Sequence, residues 1–209
     1  GHHAGRSGVA LDAPSQGFCL LNNVAIGARY ALLVQRNVER VAILDVDVHH
    51  GNGTQEIFEA DPSVLFVPIH LHDPGFCPQT LDYHADESNV VNFALAGRKG
   101  TESERAAGRV VFRHALQRAM TQVATFAPDL ILLSMGFDAH AEEYDMGRAD
   151  SAGFHLADED YATMTDELVD LARRVCGGRL VSVLEGGYNP EVLQRCTSVH
   201  VERLAKAEC

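Results

Sequence analysis

The sequence predicts an α/β domain built on a mostly parallel sheet flanked by helices. Short runs rich in Val, Ile and Leu alternate with longer segments of helical periodicity, the pattern that encodes parallel strands joined by helical crossovers. The runs are nearly continuous in apolar residues, which marks strands covered on both faces. At 209 residues the chain suits one such domain, and no repeat, low-complexity tract or linker divides it.

A first helix is expected over 22–35, NNVAIGARYALLVQ, with an Asn at its start and an apolar face. VAILDVDV (41–48) and VLFVPIHL (64–71) read as the first two strands. Residues 72–103 form the longest irregular stretch, a length that compact domains reserve for functional loops or disorder. A long helix over 104–127 stops before Pro128, and DLILLSMGF (129–137) supplies the third strand. The helix over 158–175 carries acids in its first turn, arginines in its last and Gly177-Gly178 beyond. RLVSVLEGG (179–187) is the fourth strand, and Pro190 opens the closing helix at its first position.

Composition narrows the function classes. The net charge of −12 and the lack of a Lys/Arg cluster argue against direct nucleic-acid binding. An acidic surface suits basic partners such as lysine-rich tails or polyamines, and it also serves plain solubility. No apolar run approaches the roughly 18–20 residues that cross a bilayer, and the N-terminus does not read as a signal peptide. Five cysteines (19, 77, 176, 196 and 209), odd in number and without a C-x-x-C pair, point to a reducing compartment, nucleus or cytoplasm.

The chemistry is expected where strands end. The first run closes on Asp45-Val-Asp47-Val-His49, the third on Gly136-Phe137-Asp138 and the fourth on Glu185-Gly-Gly-Tyr188. Ligands of open α/β sheets bind outside the carboxyl ends of the strands, so three segments deliver polar side chains to one rim. Read as a strand, the first run places Asp45, Asp47 and His49 in one row. Buried carboxylates are costly unless paired or bound to a metal. A helix-capping aspartate beside a core histidine would explain one of them, not the row. Asp47, His49 and Asp138, with one position left open, outline a hydrolytic zinc site. At the chain's start His2 and His3 offer the base and acid that amide hydrolysis needs. Asp45, not required as a ligand, is free to orient one of them.

Together GHHA, GFCLLNN (17–23), ILDVDVHHGNGTQ (43–55), SMGFDAH (134–140) and LEGGY (184–188) resemble, in order and character, the zinc-dependent histone deacetylases. The likeness is to the class II branch and its bacterial amidohydrolase relatives, and it runs from Gly1 to about Leu204. It implies an arginase/deacetylase-like three-layer α/β/α fold, with the 209 residues forming a single catalytic domain that lacks its N-terminal part. It implies Zn²⁺ on Asp47, His49 and Asp138, with K⁺ nearby through Asp45 and the backbone around Asp47 and His49. His2 would pair with Asp45, and His3, with Asn52 behind it, would be the main general base and acid. Tyr188 would stabilise the oxyanion, and Gly17, Phe18 and Gly187 would line the tunnel for the acetyl-lysine stem. The implied reaction is hydrolysis of acetyl-lysine amides in histones or other proteins, with acetylpolyamines as the alternative substrate.

Departures bear on specificity. Cys77, in PGFCP, stands where relatives carry a bulky aromatic, and Met146 stands in for a tunnel leucine within HAEEYDMGRAD. An arginase-like second metal would lack its ligands, since Gly51 stands in place of one extra carboxylate and Asp138 is followed by Ala139 and His140 where those relatives carry Asp-x-Asp. GNGTQE lacks the third glycine of a dinucleotide fingerprint. An inactive remnant or non-catalytic scaffold is the rival from another class, and zinc content with deacetylation separates the two.

Overall fold

A computed structural model describes residues 1–5, 17–72, 89–97, 101–143 and 153–206. Five parallel strands form one sheet: β1 (Val41–Asp45), β2 (Val64–Leu71), β3 (Phe93–Leu95), β4 (Leu130–Met135) and β5 (Leu180–Leu184), in the order β3-β2-β1-β4-β5. The helices are α1 (Asn23–Val34), α2 (Asn52–Phe58), α3 (Glu102–Phe126), α4 (Asp158–Cys176) and α5 (Pro190–Lys206). The expected fold class is the observed one.

Strand residues divide between two cores. Ala42, Leu44, Val67, Ile69, Leu133 and Met135 pack on one face against Phe112 and Leu116 of α3 and Leu168 of α4. Val41, Ile43, Val64, Phe66 and Leu132 pack on the other against Val24 and Ala28 of α1 and Phe58 of α2. Burial of both faces is why β1 and β2 read as unbroken apolar runs. β5 differs: it is a sheet edge among the described residues, and Val181 and Leu184 are half exposed.

Helix ends follow their side chains. Asn22 Oδ1 accepts from the Ala25 amide at 3.0 Å and starts α1 where the sequence put it. Thr101 and Glu104 form a reciprocal capping box, which begins α3 two residues before the expected Glu104. Gly177, in the left-handed region at φ 62°, closes α4.

Two elements escaped the sequence reading. The seven-residue α2 lies in a Gly-Asn-Gly stretch that reads as a turn, and the three-residue β3 lies inside the segment expected to be irregular. One expectation is corrected: β1 ends at Asp45, not Val48, so Asp45, Asp47 and His49 are not a row on a pleated strand. The reason is local. Asp45 Oδ1 accepts from the Asp47 amide at 3.2 Å and Asp47 Oδ1 from the His49 amide at 2.8 Å. Side-chain oxygens thus take backbone donors and bend the chain out of the strand.

Candidate active site

Asp45 pairs in register with Ser134 of β4, and Met135 with Leu184 of β5, so three neighbouring strands end level with one another. The segments leaving those ends bring Asp47, His49 and Asp138 together. His49 Nδ1 lies 3.0 Å from Asp47 Oδ1 and 2.9 Å from Asp138 Oδ2. One ligand atom from each of the three falls within 4.8 Å of the others. The bend after Asp45 achieves what a straight strand was expected to do.

Backbone amides fix the two carboxylates. Gly186 N donates to Asp47 Oδ2 at 2.7 Å, and Val48 N donates to Asp138 Oδ1 at 3.0 Å. A side chain at Gly186 would put its Cβ 2.2 Å from Asp138 Oδ2 and 2.6 Å from Asp47 Oδ2, so only glycine allows this approach. Asp47 and Asp138 are both buried. Burial, then the charge of Asp47, pushes the Asp138 carboxyl up to about 6. Burial also pushes Asp47 upward, but the charge on His2 and the bonds from His49 outweigh it and hold Asp47 well below the carboxylate range. Burial would lower His49, and the two carboxylates beside it instead raise it well above the usual imidazole value. Two buried carboxylates converging on one nitrogen form an electron-rich pocket whose repulsion a divalent cation relieves. Two oxygens and one imidazole nitrogen are a fitting donor set.

His2 and His3 stand beside this pocket with rings 4.2 Å apart, and the His3 ring is 6.1 Å from that of His49. Their partners differ in charge. His2 Nδ1 lies 2.8 Å from Asp45 Oδ2, and its Nε2 lies 3.7 Å from Asp47 Oδ1. Burial lowers His2, but Asp45 and Asp47 prevail and raise it to about 10. His3 Nδ1 lies 2.7 Å from Asn52 Oδ1, a neutral partner. Burial, followed by repulsion from His2, lowers His3 to about 3. One ring therefore carries a proton at neutral pH and its neighbour does not.

The tunnel residues are only partly described. Gly17, at φ 52°, packs its backbone on His3: an added Cβ would lie 2.0 Å from the His3 ring. Phe18 follows, also at positive φ, and is 74 % exposed. Gly187 lies in the turn between Gly186 and Tyr188. Tyr188 is 36 % exposed, open enough to meet a ligand, and burial with the charges of Asp138 and Asp47 pushes its hydroxyl upward. Cys77 and Met146 lie outside the described residues.

Other histidines have internal partners. His50 Nε2 bonds Gln55 Oε1 at 2.8 Å, and its ring stacks on His70 at 4.5 Å. Cys19 is buried and donates to the Gly17 carbonyl at 3.2 Å.

Two carboxylates near the site were given no role by the sequence reading. Glu185 receives the His2 amide at 3.0 Å, the Ser134 hydroxyl at 3.3 Å and the Gly1 amine. Glu143 is buried and receives two amides from the Tyr188 turn. Glu185 stood inside the quoted LEGGY motif, which was the available signal; Glu143 had none beyond being acidic.

Comparison with known proteins agrees with this geometry. A family model described as Histone deacetylase domain matches residues 1–204. Type-2 histone deacetylase 2 of Dictyostelium discoideum is 41% identical over 218 residues, covering 98% of this chain and 12% of the relative. Histone deacetylase 6 of Caenorhabditis elegans is 41% identical over 198 residues, covering 90% of this chain and 18% of the relative. The crystal structure of the HDA15 HD domain superposes with a TM-score of 0.71 at 33% identity, covering 99% of this chain and 54% of that one. The chain thus spans about half of that domain and less than a fifth of either curated relative. Its motifs, its sheet and a match over nearly its whole length lead to one assignment: the chain belongs to the histone deacetylase family.

Proposed function

We propose that this chain carries the catalytic centre of a zinc-dependent deacetylase that hydrolyses acetyl-lysine amides in histones or other proteins. The observation that carries the proposal is the meeting of Asp47, His49 and Asp138, with the His3 ring 6.1 Å from that of His49 and an accessible Tyr188 at the same rim. Asp47, His49 and Asp138 would hold Zn²⁺. Zinc so held polarises a carbonyl and lowers the pKa of water from 15.7 to about 7.

The chain's own residues supply the rest. His3 is unprotonated at neutral pH, so its free ring nitrogen takes a proton from the attacking water and returns it to the departing amine. Asn52 orients that ring without adding charge, so it stabilises the protonated ring less than a carboxylate would. His2, held protonated by Asp45, places fixed positive charge beside the carbonyl as negative charge develops. The Tyr188 hydroxyl donates to the same oxygen. Acetate and a free amine are the products. A potassium ion rests on the resemblance alone, and both Asp45 oxygens already accept bonds, from His2 and the Asp47 amide.

The net charge of −12 favours cationic substrates and so keeps acetylpolyamines as the second reading. The test is zinc content with turnover of an acetyl-lysine peptide and of an N-acetylpolyamine. About one zinc per chain and faster peptide turnover are expected. Preference for the polyamine selects the second reading. Protein that binds no zinc and turns over neither is a scaffold, and the proposal fails.

A further inference from the structure

Glu143 lies five residues beyond Asp138, past the end of β4. Its carboxylate is buried, and a single oxygen, Oε1, accepts from the Tyr188 amide at 2.9 Å and the Asn189 amide at 2.6 Å. Bonds from backbone donors to an ionised acceptor are short and strong, and two from adjacent residues fix the chain's direction as well as its place. A third tie lies alongside: Asn189 Nδ2 donates to the Glu142 carbonyl at 2.8 Å. Asn189 Oδ1 then accepts from the Glu191 amide at 3.1 Å, joining the turn to the start of α5. On the other side of Tyr188 stands Gly187 at φ 129°, which gives that junction torsional freedom and no side-chain packing. The segment carrying Tyr188 is thus held on one side at Gly186, which donates to Asp47 and accepts from the Phe137 amide at 2.9 Å, and at Tyr188 and Asn189 themselves by the 142–143 segment.

That segment is itself braced. Arg195 of α5 bonds Glu142 Oε1 at 3.1 Å and Asp158 Oδ2 at 2.8 Å, and Asp158 Oδ1 lies 3.1 Å from His140 Nε2. One stretch of six residues therefore bears a ligand of the metal pocket at one end and the acceptor for the Tyr188 turn at the other.

We propose that Glu143 is a positioning residue: its carboxylate sets where the Tyr188 hydroxyl stands relative to Asp138, without touching substrate itself. The inference rests on reading Tyr188 as the donor to the developing oxyanion. An error of about 1 Å in such a donor costs on the order of 10²-fold in rate.

The experiment is a double-mutant cycle on zinc-loaded protein with an acetyl-lysine peptide, with zinc content and melting temperature measured on each variant. Glu143→Ala is expected to lower kcat by about 10- to 100-fold, with KM within about twofold and zinc content unchanged. Glu143→Gln, which keeps an acceptor oxygen, is expected to recover most of that loss. In a Tyr188→Phe background, Glu143→Ala is expected to add less than about a twofold further loss, because its effect passes through the missing hydroxyl. A merely structural role would lower the double variant by the full factor, and that result overturns the inference. If Glu143→Ala is not recovered folded, Glu143→Asp, which draws the acceptor back by one methylene, enters the same cycle. Tyr188→Phe at the wild-type rate overturns the tyrosine reading and this inference together. A slow Tyr188→Phe beside a wild-type Glu143→Ala overturns the inference alone.

Discussion

Asp47, His49 and Asp138 at the sheet rim, and His140 after β4 with Asp158 of α4 and Cys196 of α5, are similar in make-up and in spacing. Each trio brings one atom per residue within 4.8 Å of the others. Their proton counts differ. At the rim, two carboxylates face one imidazole nitrogen, and the surplus is negative. In the second trio one carboxylate collects the donors: Asp158 Oδ1 receives His140 Nε2 at 3.1 Å and the Cys196 thiol at 3.4 Å, while Oδ2 receives Arg195 Nε at 2.8 Å. The Glu142 amide donates to His140 Nδ1 at 3.0 Å, which leaves the ring proton on Nε2, the atom a metal would need. Burial, then the bond to Asp158 and its charge, pushes the Cys196 thiol up to about 12, far from the thiolate that binds metal. Residue types in proximity do not make a metal centre; unspent lone pairs do.

The sharpest way to break the comparison is Asp138→Ala. It should abolish zinc retention, read by metal analysis, and reduce turnover by on the order of 10³-fold or more, since a Lewis acid contributes several kcal/mol. Next, His3→Ala should leave zinc in place and lower kcat by about 10²–10⁴-fold, the usual contribution of a general base. Zinc lost from His3→Ala would mean that the rim trio does not hold the ion by itself. In the second trio, Cys196→Ala should leave zinc stoichiometry unchanged and cost about 1 kcal/mol of stability by denaturant titration, the value of one hydrogen bond. A drop from two zinc equivalents to one in that variant would refute the distinction between the trios.

The smallest effect is one of pH. Burial pushes Asp158 upward, but the Arg195 and Cys196 bonds together outweigh it and hold its carboxyl below the ordinary value. A carboxylate with a depressed folded pKa stabilises above its unfolded value near 3.9, and the contribution fades as pH falls through the folded one. Asp158 is 30 % exposed, so solvent screening limits the gain to a few tenths of a kcal/mol up to about 1. The melting temperatures of wild type and Asp158→Asn should therefore differ at pH 7 and converge as acidification carries the pH below the folded value of that carboxyl.

The sequence made much of this readable because burial on both faces leaves an unmistakable apolar run, and because carboxylates inside such runs demand a reason. Asp45, Asp47, His49 and Asp138 announced themselves in that way. The bend after Asp45 did not, since it depends on side-chain oxygens capturing the Asp47 and His49 amides instead of leaving them to the sheet. Nor did the role of Gly186 as a donor to Asp47, because a backbone amide carries no letter of its own. The short α2 and β3 were hidden for another reason: each takes its stability from packing against β2 and its surroundings more than from local preference.

The bond from the Gly186 amide to Asp47 joins residues 139 positions apart. The pocket beside it therefore has no local precursor: neither the loop after β1 nor the turn after β5 can assemble it alone. Closing a contact of such span is slow, because chain entropy is spent before any packing rewards it. Ion uptake should consequently trail strand pairing during refolding, and the colour of a cobalt substitute would serve as a clock for the last central contact to form.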